Sequence, residues 1–151
     1  QASEMKTFVV LALVLAVSAL PYRDPVPYQS CGTAKDHVQL TKVDVTLWPV
    51  DKKLPVSVAV EGQLDEDITA GNLHVEVYKG DTRLVNKDID FCTASPDYPC
   101  PFPAGPYTFS YDDYDLPWYV VAGDYSATAN ATDQNGDILA CFTLDFEIVK
   151  N

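Results

Sequence analysis

Short apolar runs with a period of two, framed by four cysteines, constrain this chain more than any other feature. Val43, Val45 and Leu47 alternate with polar residues, as do Leu54, Val56, Val58 and Val60. The same spacing runs through Leu73, Val75 and Val77, through Ile89 and Phe91, and through Tyr107, Phe109 and Tyr111. Tyr125, Ala127, Ala129 and Ala131 continue it, and Phe142, Leu144, Phe146 and Ile148 close it. Two-residue alternation puts each set on one face of a sheet. Glu61-Gly62, Ala70-Gly71, Lys79-Gly80-Asp81 and Ala122-Gly123-Asp124 are turn signals between these runs,. Asn135-Gly136 predicts a type I′ hairpin between the last two strands,. The expected fold is all-β, an immunoglobulin-like β-sandwich of two antiparallel sheets.

The first residues read as a leader, not as part of that fold. Met5, the only methionine, follows four upstream residues, and Met5-Lys6 starts a short basic segment. An unbroken apolar stretch from Phe8 to Val17 follows, and Val17-Ser18-Ala19 offers small residues for cleavage,. A bilayer span needs about 20 apolar residues, so the expectation is a signal peptide over 5–19 cut near Ala19. The remaining 20–151 then form a single domain in the secretory pathway. Secretion and retention in a vacuolar or lysosomal lumen both stay open.

Export and an even cysteine count imply disulfides. Cys92 and Cys100 flank seven residues that close easily on themselves, and Cys31 and Cys141 then pair end to end. A zinc site is the alternative, but there is no C-x₂-C spacing and there are only two histidines,. The formal net charge of −12 argues against a nucleic-acid partner and against electrostatic adhesion to anionic surfaces,.

No constellation for catalysis stands out. His74, between Leu73 and Val75, should point away from the core, and His37 lies in the lead-in to the first strand. There is no G-x-S-x-G motif, and with 22 acidic residues a carboxylate pair carries no signal. The segment from Asp133 to Asp137 resembles the start of a calcium loop. Its twelfth position, where a bidentate Glu is needed, is Leu144, so a hairpin turn is expected, with no metal or other cofactor,. Asn130-Ala131-Thr132 is a glycosylation sequon, and the parity of Asn130 places it on the outer face,.

Val43-Asp44-Val45, Trp48-Pro49, Val58-Ala59-Val60-Glu61-Gly62, Asp67-Ile68-Thr69-Ala70-Gly71, Asp90-Phe91-Cys92, Cys100-Pro101, Leu116-Pro117 and Gly123-Asp124-Tyr125 follow one another between Ser30-Cys31-Gly32 and Ile148. In this order they resemble the ML (lipid-recognition) domain family, especially its phosphatidylglycerol/phosphatidylinositol transfer proteins and Niemann–Pick type C sterol carriers. Many sterol carriers of the family have a third disulfide just after the first strand, where this chain has Leu47-Trp48-Pro49-Val50-Asp51. The phospholipid-transfer branch often lacks it.

The resemblance implies an apolar cavity between the sheets that holds a phospholipid or sterol. The lining would comprise Val45, Val58, Val60, Val75, Val77, Phe109, Leu116, Tyr125, Ala127, Ala129, Phe142 and Leu144. Leu84, Trp118, Tyr119 and Val120 would stand at its mouth. Ala127, Ala129 and Ala131 in one row independently suggest spare volume, because filled interiors usually need bulkier side chains there,. Two functions compete: a monomeric lipid carrier with transient membrane contact, and a secreted recognition module with a filled core.

Overall fold

The computed structural model describes residues 27–45, 49–94 and 96–150, the side chains of 111–113 excepted. The expected leader over 5–19, Leu47 and Trp48 lie outside the described residues. Nine strands among them form two sheets, as the alternation predicts. They are β1 (Tyr28–Ser30), β2 (Val38–Val45), β3 (Val50–Asp51), β4 (Val56–Leu64), β5 (Gly71–Lys79), β6 (Thr82–Asp90), β7 (Gly105–Tyr114), β8 (Gly123–Asp133) and β9 (Ile138–Val149). One sheet has the order β1-β9-β8-β5-β6, with β3 added in parallel to β9. The other is narrower, β2-β4-β7.

Register turns the alternating runs into rows. Across the wide sheet, Val85, Val77, Ala127, Leu144 and Tyr28 stand side by side. The next row is Lys87, Val75, Ala129, Phe142 and Ser30. In the narrow sheet the corresponding rows are Val45 with Val58, then Val43, Val60 and Phe109. One cluster built on Val45, Val50, Tyr125 and Ile148 draws in Val58, Val77 and Leu144, so these rows face one another across the sandwich.

Both disulfides pair as the spacing suggests, Cys31 with Cys141 and Cys92 with Cys100. The first pins β1 onto β9, next to the Cys31 amide bond to the Cys141 carbonyl at 3.0 Å. The second staples the connection between β6 and β7. Here Phe91 departs from expectation: it opens a short helix, α1 (Phe91–Ala94), instead of ending a strand. Asp90 accepts the Cys92 amide at 2.9 Å, offering the backbone a turn where a ladder would otherwise continue,.

Three local readings need correction. Glu61-Gly62 lies inside β4, with Gly62 opposite Leu40 and Tyr107. A Cβ at Gly62 would come within 2.9 Å of the Gln39 carbonyl oxygen, so this glycine serves close backbone approach beside a bulge in β2,. Leu54 belongs to the turn before β4, its amide bonded to the Asp51 carbonyl. The last hairpin is a four-residue connection, not a two-residue type I′ turn. The Gly136 amide donates to the Asp133 carbonyl, and Gly136 takes a left-handed φ of 84°,. The Asp133 carboxylate decides this shape by accepting the Asn135 and Asp137 amides, each at 2.8 Å.

Candidate functional site

The core is divided between the two ends of the sandwich. At one end the cluster of Val45, Val50, Tyr125 and Ile148 holds Leu116 and Val120 of the connection between β7 and β8. At the other, Leu64, Ile68, Phe102 and Leu139 pack with Phe91, Tyr98 and Tyr107. Ile68 is wholly enclosed there, and its amide and carbonyl exchange hydrogen bonds with those of Phe102 at 2.9 and 2.8 Å. Burial pushes the Tyr107 phenol up to about 12, with Tyr98 adding to the shift, so it stays neutral at this plug,.

Between the plugs the inward rows are apolar but incompletely covered. Val60, Val75, Phe109, Ala127 and Phe142 all stay half-buried, although their register puts them on the faces between the sheets. Val43 and Ala129 are buried in the same middle rows. Of the three alanines in β8, Ala131 packs against the end cluster that contains Phe102, while Phe146 and Phe142 each meet another ring. Phe146 stacks on Tyr125 at 5.5 Å between ring centroids, and Phe142 meets Tyr28 edge-on at 6.2 Å.

The two sheets are unequal in width. β6 ends the wide one and β7 the narrow one, and the stapled connection joins these two edges in sequence. Nearly all of β6 is exposed, with only Val85 and Ile89 half-buried. The opposite side is drawn closed: the Tyr28 hydroxyl donates to the Leu40 carbonyl, joining β1 to β2. A cleft of about 180 Å³ lies on that closed side, lined by Tyr28, Val38, Leu40 and Ala140. A second, wide-open cleft of about 440 Å³ is bordered by Tyr125, Phe146 and the acidic Asp124 and Asp145. Neither cleft is lined by Val60, Val75, Phe109, Ala127 or Phe142. Among the described residues these form a half-buried apolar belt.

The residues expected at the mouth separate into two kinds. Val120 turns inward as part of the end cluster, beside Leu116 of the expected lining. A turn closed by the Val120 amide on the Pro117 carbonyl, 3.0 Å, puts Trp118 and Tyr119 at its apex. Trp118 is 87% exposed and Tyr119 54%, with Val121 and Leu54 also exposed. The two rings meet edge-on, and the Lys52 ammonium holds the Trp118 carbonyl at 3.2 Å. Leu84 sits exposed at the bulge of β6. Tyr125 is buried and anchors this end: its hydroxyl donates to the Val121 carbonyl and the Lys79 ammonium lies over its ring.

The residues set aside by sequence fall elsewhere. His74 points outward and pairs with Asp88 at 2.8 Å. Asn130 lies opposite His74 and Cys141, half-buried, with its carbonyl oxygen enclosed. His37, Glu66 and Asp133 come together from three separate segments, their ligand atoms within 4.8 Å of one another, which no local motif announced. His37 Nδ1 is 2.8 Å from Asp65, and the Asp133 carboxylate is engaged by the hairpin, so the cluster ties these segments together.

Its titration has a definite sign. The hydrogen bond with Asp65 raises the His37 pKa above 6.5, against the effect of burial. Burial and the Asp133 contact raise Glu66 as well, whereas for Asp133 burial is outweighed by the amides of Asp137 and Asn135, which hold it low. A raised folded-state pKa contributes stability that is complete below the unfolded value and lost as pH rises through the folded one. Between pH 5.5 and 8, roughly the window of a raised imidazole, the urea midpoint should therefore fall more for the native chain than for His37→Gln. Parallel curves for the two would remove His37 from the pH response.

The family model of the ML domain matches residues 25–148. A Dictyostelium discoideum protein that carries a provisional phosphatidylglycerol/phosphatidylinositol transfer name is 29% identical over 144 residues, covering 95% of this chain and 100% of the relative. The phosphatidylglycerol/phosphatidylinositol transfer protein of Cryptococcus neoformans is 28% identical over 82% of this chain and 71% of its own. Among solved structures, a Niemann–Pick type C2 protein from the Japanese carpenter ant superposes with a TM-score of 0.67 at 10% identity, covering 82% of this chain and 99% of that one. Chicken MD-1, solved with lipid IVa, gives 0.53 at 16% identity over 80% and 87%. These two structures share the fold. With the family model spanning both sheets and all four cysteines, the chain belongs to the ML-domain family.

Proposed function

We propose that the protein binds the apolar part of a phospholipid or sterol between its sheets and moves the lipid between membranes without altering it. The observation that carries this is the half-covered apolar belt of Val60, Val75, Phe109 and Phe142 between two well-packed ends. An acyl chain laid there leaves water at about 0.8 kcal/mol per methylene. Against a bilayer the gain nearly cancels, because both environments are apolar, and that balance suits a shuttle. The names of the relatives favour phospholipid, and two disulfides suit an oxidising lumen or the outside of the cell,.

The exposed pair of Trp118 and Tyr119 fits a tip that touches the membrane, since aromatic rings with a polar edge settle at the headgroup level,. Trp118→Ala should cut vesicle-to-vesicle transfer several-fold and leave stability within about 0.5 kcal/mol, as for other exposed positions. Normal transfer by this variant would take the tip out of the mechanism. The carrier reading itself is tested by native mass spectrometry of the protein after incubation with phosphatidylglycerol or sterol vesicles. One bound lipid, released intact, is the expected result; no bound lipid, or a hydrolysed one, would overturn it.

A further inference from the structure

We propose that Lys87 selects for an anionic phospholipid, its ammonium meeting the headgroup phosphodiester where the belt reaches the β6 edge. This rests on the carrier reading above. Lys87 shares the inward face of the wide sheet with Val75, Ala129 and Phe142. It is the outermost residue of the middle row, exposed on the edge strand, flanked at the same parity by the half-buried Val85 and Ile89.

Among the described residues, the inward rows carry one other cation, Lys79, and it shows what a structural lysine in this setting looks like. Its ammonium donates to the Ala122 carbonyl at 2.9 Å and sits 4.5 Å over the Tyr125 ring. Arg83 pairs with Glu76, of outward parity, at 3.0 Å. Lys87 has no side-chain ion pair, hydrogen bond or ring contact among the described residues. The carboxylates beside it are engaged elsewhere, Asp88 with His74 and Asp90 with the Cys92 amide.

The chemistry follows from that position. A lysine stem lies along apolar surface while its head stays in water, so the ammonium stands where chains held in the belt would leave their headgroup. A charge-assisted hydrogen bond to a phosphate oxygen suits such a site. The need for it is local, because a chain of net charge −12 otherwise repels an anionic lipid,. An inward lysine on an edge strand has a competing use, as a guard against strand-to-strand association.

The test is transfer between phosphatidylcholine vesicles carrying a trace of labelled phosphatidylglycerol or labelled phosphatidylcholine, so that the surfaces are alike. The native chain should prefer phosphatidylglycerol. Lys87→Gln should lose roughly fivefold in its transfer at low salt, with phosphatidylcholine unaffected and Lys87→Arg retaining the preference. Inorganic phosphate at constant ionic strength should leave the preference in place; its disappearance would mean a soluble-phosphate site and overturn the headgroup role. Equal preference in the native chain and Lys87→Gln, with or without new self-association of the variant, would overturn the proposal while the carrier reading stands. A native chain that neither binds nor moves either lipid would overturn both.

Discussion

Replacing Cys31 and Cys141 together by alanine is expected to lower the unfolding free energy by about 4.8 kcal/mol, by the chain-entropy relation for a closed loop. The two are 110 residues apart. The same relation gives about 2.5 kcal/mol for the Cys92–Cys100 bridge, whose cysteines are 8 apart. Against a total stability of about 5–15 kcal/mol for a typical domain, the first change is severe and the second tolerable. The structural consequence should be equally unequal. Cys31 holds β1 to the edge of β9, and with it the side of the sandwich that Tyr28 and Leu40 close. Urea denaturation of the two double variants decides the matter. Equal midpoints, or a larger loss from the short bridge, would show that the long loop is not what the disulfide restrains.

Val75→Trp is expected to reduce lipid binding at least tenfold, roughly the loss of 1.4 kcal/mol or more, while the protein keeps its fold. Val75 stands in the middle of the wide sheet's inward face, between Lys87 and Ala129 in register, and is half-buried. In a filled core, an indole in place of a valine would be overpacked and cost about 1–3 kcal/mol or more. In an open belt the ring occupies the space a lipid chain would take, and stability changes little. The competing reading, a recognition sandwich with a packed interior, makes the opposite prediction on both measurements. Lipid occupancy by native mass spectrometry and the thermal midpoint should be read on the same preparation. A sharp loss of stability, or undiminished lipid occupancy in a stable variant, would count against the slot.

Much of the architecture is legible in the amino-acid order, because side-chain parity in a strand is a local property. Leu73, Val75 and Val77 take one face from their spacing alone, and the ladder to Ala131, Ala129 and Ala127 keeps them there. The two disulfides follow from chain distance. Local signals mislead where a tertiary neighbour outweighs them. Gly62 looks like a turn residue but serves the approach of the Gln39 backbone, and Asn135-Gly136 loses its tight turn to the carboxylate of Asp133.

The site is less legible, for a related reason. Parity says which way Trp118 or Tyr125 could point, not what lies beyond: one ends 87% exposed at the tip of a turn, the other buried beneath it. Nor could spacing bring His37, Glu66 and Asp133 together, or place Lys87 at the outer end of an apolar row. Strands, their faces and the cysteine partners are written in the chain itself, since each depends on the period of the backbone and the length of a loop. Which apolar residues are sealed into the two end plugs, and which stay half-covered between them, is settled by three-dimensional packing. Burial depends on how two sheets of unequal width overlap, and that is a property of neighbours distant in the chain,.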